Sequence, residues 1–146
     1  MRETSSGIIV FRRFSGQRLY LLLHYHYRGD YWGFPRGNIR NYETPKEAAI
    51  RETEEETGLT AEQLKIIEGF EEHAGWFYRL EGEIVHKQVT YFLAETENAD
   101  VKISEEHVGA RWLSFEDALS QLQYKSSKKM LHKAEEFLQK LENISS

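Results

Sequence analysis

The sequence predicts an α/β fold in which a mixed β-sheet lies between helices. Three observations predict it. Runs rich in β-branched and aromatic residues (7–14, 18–25 and 84–95) are separated by turn residues, as strands are. One helix, opened by Thr44-Pro45 and closed by Gly58, stands between the early and late strands. Near the end, Met130, Ala134, Phe137, Leu138 and Leu141 share one stripe of period 3.6, which marks an amphipathic helix needing a surface to cover it.

Taken in order, residues 7–14 read as a first strand, Ser15-Gly16 as a turn and residues 18–25 as the hairpin partner. Leu21-Leu22-Leu23 predicts a strand covered on both faces. His24 and His26 share a face of it. A metal pair can be drawn there, but with no third ligand in view partly exposed strand-end histidines are the expectation. Residues 28–32 read as a loop, and Trp32 and Phe34 as core. In the central helix Thr44 is the N-cap, Pro45 takes the first position and Glu47 completes a Thr-x-x-Glu capping box. Gly58 supplies the left-handed residue that ends it.

After the helix, residues 64–70 and 74–79 are strand-like, Glu81-Gly82 turns the chain, and residues 84–95 return as a long strand. Residues 98–106 are polar and predict a loop, followed by a short strand at 107–113. Ser114 opens another helix, with Asp117 at the capping-box position and Leu113 placed to staple against Ala118. QYKSSKK reads as a polar connector to the last helix.

At 146 residues the chain is expected to be one domain, 1–146. Hydrophobic content of 40%, with 13% aromatic, requires a packed core. The absence of cysteine excludes disulfides and thiolate metal sites. A formal charge of −5 gives no general reason to expect long nucleic-acid partners. No apolar run reaches signal-peptide or membrane-spanning length, so a soluble cytoplasmic protein is expected. Oligomeric state is not legible, and a monomer is the default.

The chemistry concentrates on the central helix. At about 100° per residue, Glu52, Glu55 and Glu56 share one face, Glu54 points away, and Ala49, Ile50, Thr53 and Thr57 form a neighbouring stripe for packing. Like charges so spaced repel by roughly 0.2–0.5 kcal/mol per pair. They also crowd the negative end of the helix dipole. A solvated face would carry lysine there at less cost, so a cation is expected. Hard carboxylate oxygens select Mg²⁺, with Mn²⁺ as the alternative.

Gly37, five residues, Glu43, seven residues, then Arg51-Glu52-Thr53-Glu54-Glu55-Glu56-Thr57-Gly58-Leu59 resembles the Nudix box of the Nudix hydrolases. Thr53 stands where that pattern carries a bulky aliphatic residue, and Asn41-Tyr42 replaces its usual Pro-Gly. The segments GIIVFRR, IIEGF, HKQVTYFLAE, EEHVGARWLSFEDA and QYKSSKKML are similar to the diadenosine tetraphosphate hydrolases within that family. The resemblance implies a Nudix α/β/α sandwich. It also implies metal ligation by Glu52, Glu55, Glu56 and the Gly37 carbonyl, with Arg51 orienting these carboxylates and Glu43 rather than touching substrate. Glu106 is placed as a further ligand or base. The general base is Glu52 or Glu106, in that order of preference.

A nucleoside polyphosphate needs cations for its phosphates and flat faces for its base. Arg36, Lys87 and Lys125 are the phosphate candidates. Tyr124 and Tyr78 are the stacking candidates, with Trp76 on the same strand face as Tyr78. The implied reaction is Mg²⁺-dependent hydrolysis of diadenosine tetraphosphate to ATP and AMP. The alternatives are another Nudix pyrophosphohydrolase, acting on RNA 5′ ends, nucleoside triphosphates or diphosphoinositols, and a non-catalytic nucleotide-binding module. The retained box carboxylates weigh against the last.

Overall fold

The computed structural model describes residues 1–26, 29–104 and 107–145. In chain order these form β1 (Arg2–Phe14), β2 (Gln17–Tyr25), β3 (Tyr31–Gly33), β4 (Arg36–Asn38), α1 (Pro45–Thr57) and a 3-10 turn at Ala61–Gln63. There follow β5 (Lys65–Ile66), β6 (Glu72–Leu80), β7 (Glu83–Glu95), β8 (His107–Leu113), α2 (Phe115–Gln121) and α3 (Lys125–Ser145). The central path of the eight-stranded sheet is β3-β2-β1-β7-β5, with β8 beside β2, β4 beside β1 and β6 beside β7. β1 and β7 run parallel from Arg2↔His86 to Phe11↔Glu95, whereas β1 with β2 and β6 with β7 are antiparallel. The sheet is therefore mixed.

Alternation along the strands builds two cores from the same residues' neighbours. Ile9, Phe11, Leu22, Tyr91 and Leu93 pack with Leu122, Met130, Ala134 and Leu138 of the C-terminal helical layer. Ile8, Val10, Leu21, Leu23 and Phe92 pack on the other face with Ala49 and Leu59. The result is the α/β/α sandwich expected, with all three leucines of the Leu21-Leu22-Leu23 run fully buried.

The caps of α1 form as expected. Thr44 Oγ1 accepts the Glu47 N–H at 3.1 Å, the Thr44 N–H donates to Glu47 Oε1 at 2.8 Å, and Gly58 takes φ 79°. Ser114 caps α2 by accepting the Asp117 N–H at 3.2 Å. No helix among the described residues is long and apolar enough to cross a membrane.

Several boundaries differ from the sequence expectation. β1 begins at Arg2, not residue 7, because its parallel pairing with β7 continues to that end of the ladder. Of residues 64–70 only Lys65–Ile66 is strand; Gly69, at φ 95°, then turns the chain and Phe70 packs on Phe137. The QYKSSKK connector is mostly the first turn of α3, which starts at Lys125. His24 and His26, by contrast, are partly exposed at the end of β2 as expected: the His24 ring stacks on Trp32 at 4.5 Å and meets Asp30, and His26 lies just beyond the strand.

The difference that matters most lies within residues 31–38, where two short strands replace loop. β1 and β2 pair from Phe14↔Gln17 to Phe11↔Tyr20 and then part. Beyond that point β3 pairs with β2 at Leu23–Tyr25, and β4 pairs with β1 at Ser5–Gly7. The segment between β3 and β4 bridges the split, and the candidate site opens there.

Candidate active site

Packing fixes the rotation of α1. Ala49, Thr53 and Thr57 are buried towards the sheet, which leaves Glu54 exposed and turns Glu52 and Glu56 towards β4. Glu52 lies so close to Gly37 that a β-carbon built on Gly37 would overlap its carboxyl group. Only glycine allows that approach.

Arg51 organises the rest of the face. Its Nε donates to Glu43 Oε2 at 2.6 Å, its Nη1 to Glu52 Oε1 at 2.7 Å, and its Nη2 to the Asn38 carbonyl at 3.0 Å. Nη1 also approaches Glu55 Oε1 at 3.3 Å. The hydrogen bonds from Arg51 hold the Glu43 carboxyl down at about 2. Glu55 remains 52% exposed. The three carboxylates thus share a helix face without converging on one point, and the described residues contain no ready-made group of three or more acidic or histidine ligands.

Glu56 is different. It is only 4% exposed. Its Oε1 accepts the Arg36 N–H at 2.8 Å and the Tyr25 hydroxyl at 3.3 Å, and Oε2 lies 3.2 Å from His107 Nε2. Burial pushes its carboxyl above the ordinary value, against the opposing influence of His107.

Two cavities meet here. One, of about 320 Å³, is bordered by Gly37, Glu52, Glu56 and Lys87. The other, of about 610 Å³, is walled by Trp32, Phe34, Trp76, Tyr78, Tyr91 and Tyr124. Tyr31 and Arg36 line both. The Arg36 guanidinium lies over the Trp76 ring, 5.7 Å from its centroid. Burial opposes its charge, but the surrounding tyrosine hydroxyls, Tyr91 and Tyr31 foremost, hold its pKa above the ordinary value. Tyr124, 51% exposed, meets Tyr31 edge-on at 5.5 Å. The Tyr78 hydroxyl is held by the Glu3 carboxylate.

The structure therefore brings most of the sequence-selected residues together. Arg36, Tyr78, Tyr124 and Lys125 line the aromatic cavity, and Gly37, Glu52, Glu56 and Lys87 the carboxylate one. Glu55 opens instead onto the outer surface of α1 with Glu47 and Glu54. Glu106 lies outside the described residues. Trp32 and Phe34 are core, as expected, and are cavity walls as well. Sequence reasoning missed Tyr25, Tyr31, Tyr91 and His107. Each lies in a strand whose pattern signals packing, and only the crowding of tyrosine between residues 25 and 31 hinted at more.

Residues 1–134 match the NUDIX domain family. The chain belongs to the Nudix family. Among its relatives, the asymmetrical bis(5′-nucleosyl)-tetraphosphatase of Mus musculus is 36% identical over 146 residues, spanning 94% of this chain and 97% of that protein. The Caenorhabditis elegans protein of the same description is 36% identical over 135 residues, with 92% and 95% covered. A crystal structure of a C. elegans Ap4A hydrolase binary complex superposes with a TM-score of 0.83 at 36% identity, covering 93% of this chain and 97% of that one. The protein is thus a Nudix hydrolase, and α1 with its preceding loop is its Nudix box. Nudix hydrolases generally use a divalent metal, usually Mg²⁺.

Proposed function

We propose that this Nudix hydrolase cleaves diadenosine tetraphosphate asymmetrically, to ATP and AMP, with Mg²⁺ held at the carboxylate cavity. The observation that carries the reading is the shared wall: Tyr31 and Arg36 line both the aromatic cavity and the carboxylate cavity. A base held among the aromatic rings then has its phosphates directed past Arg36 towards Glu52 and Glu56. The names and near-full coverage of the mouse and nematode relatives support the same substrate.

The donor set fits a hard divalent cation: it is all oxygen, and the Glu52 carboxyl group lies against Gly37, whose carbonyl is the further donor. Glu52, Glu55, Glu56 and the Gly37 carbonyl would hold the metal, with Glu106 as a further ligand. Mg²⁺, or Mn²⁺ in its place, supplies charge neutralisation on the bridging phosphates and a more acidic water.

The chain's own groups do the rest. Glu52 accepts the proton from the attacking water, with Glu106 the other candidate base. Arg51 holds Glu52 and Glu55 in place and touches no substrate. Arg36, Lys87 and Lys125 bind phosphate, while Tyr124 and one strand aromatic, Tyr78 or Trp76, hold the base by stacking. Product chromatography after incubation with Mg²⁺ tests the assignment. ATP plus AMP is expected, whereas two ADP as the main product rejects the cleavage register. Parallel reactions with 5′-triphosphorylated RNA, nucleoside triphosphates and diphosphoinositols test the substrate class, and faster turnover of any of these rejects the dinucleotide.

A further inference from the structure

His107 opens β8 with a side chain that is wholly buried. Its ring meets Tyr25 edge-on at 4.4 Å. Nδ1 lies 2.8 Å from Ser104 Oγ and Nε2 lies 3.2 Å from Glu56 Oε2. Nε2 has no hydrogen-bond partner of ordinary geometry among the described residues, so a buried polar atom is aimed at one carboxylate oxygen and at little else. The two oxygens of Glu56 are held unequally. Oε1 accepts from the Arg36 N–H at 2.8 Å and the Tyr25 hydroxyl at 3.3 Å, whereas His107 is what the structure sets against Oε2.

We infer that His107 is a positioning residue for Glu56, and that Ser104 fixes the tautomer in which it acts. The inference rests on the reading of Glu56 as a metal ligand. A serine hydroxyl rotates to donate or accept as its neighbour requires. Donation from Ser104 Oγ–H to Nδ1 places the ring proton on Nε2, where it faces a carboxylate. The opposite tautomer sets the Nε2 lone pair against the lone pairs of Oε2 in a buried space. His107 thus restrains the orientation of the Glu56 carboxyl group without reaching substrate, the role that outer hydrogen bonds play for ligating carboxylates.

The two amide isosteres of histidine separate this role from mere packing. In His107→Gln the amide nitrogen replaces Nε2 and keeps a donor towards Glu56. In His107→Asn it reaches only the Nδ1 position and leaves Oε2 without a donor. Mn²⁺ affinity of the purified full chain, read by electron paramagnetic resonance of the free ion, is expected to fall about 10- to 100-fold in His107→Asn. His107→Gln is expected to stay within about threefold of the parent, that is, well inside the effect of losing the donor. Equal affinities in the two variants, or unchanged or tighter binding in His107→Asn, overturn the inference. Should His107→Asn fail to fold, Ser104→Ala decides, and unchanged Mn²⁺ affinity there overturns it. Glu56→Gln provides the control. If it weakens Mn²⁺ binding while His107→Asn does not, the positioning role alone fails. If it has no effect, Glu56 is no ligand and both readings fall.

Discussion

The Glu52 carboxyl group lies against the α-carbon of Gly37, in space that a β-carbon would occupy. Gly37→Ala therefore has to push Glu52 off its place or shift β4. A misplacement near 1 Å lowers turnover by about 100-fold, while the strain destabilises the fold by only about 1–3 kcal/mol. Steady-state kinetics beside a thermal melt checks this. Full activity in a normally folded Gly37→Ala protein would remove Glu52 from the reaction.

Glu54 faces solvent on the opposite side of α1 from Glu56. Glu55→Gln and Glu56→Gln are expected to reduce kcat by at least about 100-fold, the scale of losing an electrostatic group at the reacting centre. Glu54→Gln should leave it unchanged. Equal losses at the three positions reject the helical-face argument.

The charge of Glu52 adds to burial in disfavouring ionised Glu56. A divalent cation that binds only the folded state relieves this. At a metal concentration of 100 Kd the gain is about 2.7 kcal/mol, which at this chain length is a rise in Tm of roughly 5–10 °C. Melts in EDTA and in Mg²⁺ measure it, and coincident curves would show a merely solvated face.

Tyr124 contributes an exposed ring to the rim of the aromatic cavity, against Tyr31. Tyr124→Ala removes a stacking face worth about 1–3 kcal/mol. KM should rise by roughly 5- to 100-fold with kcat nearly unchanged, the mark of lost uniform binding. A fall in kcat at constant KM would place Tyr124 in the chemical step instead.

Glu135 on α3 receives the Tyr20 hydroxyl at 2.5 Å and Arg18 Nη2 at 2.6 Å. Burial alone would raise its pKa, but these hydrogen bonds prevail and hold it below the ordinary 4.5. The sign follows: the stabilisation is present above pH 4.5 and is lost as the pH falls through the depressed value. Glu135→Ala, which leaves the buried Tyr20 hydroxyl and Arg18 without this acceptor, is expected to destabilise the fold by roughly 2–3 kcal/mol at neutral pH. The difference from the parent should shrink in acid, and chemical denaturation at pH 7 and pH 3 tests both.

What could be read from the chain was local. The Thr44–Glu47 capping box, the Gly58 terminus and the 3.6-residue period need only near neighbours. They sufficed to place Glu52, Glu55 and Glu56 on one face, with Arg51 beside them. The unbroken Leu21-Leu22-Leu23 run likewise announced a strand covered on both faces, and the alternation of residues 84–95 a long strand.

What the tertiary structure alone decided was how each carboxylate is held and what stands next to it. Glu56 is sunk beneath Tyr25, Arg36 and His107, whereas Glu55, one residue earlier, stays in solvent. Tyr31 joins the two cavities because β1 and β2 part beyond Phe11↔Tyr20 and residues 31–38 fill the gap. That split depends on pairings such as Gly7↔Arg36 and Gly7↔Tyr91, between residues far apart in the chain. Such register is chosen by burial summed over the whole sheet, and no window of the sequence contains it.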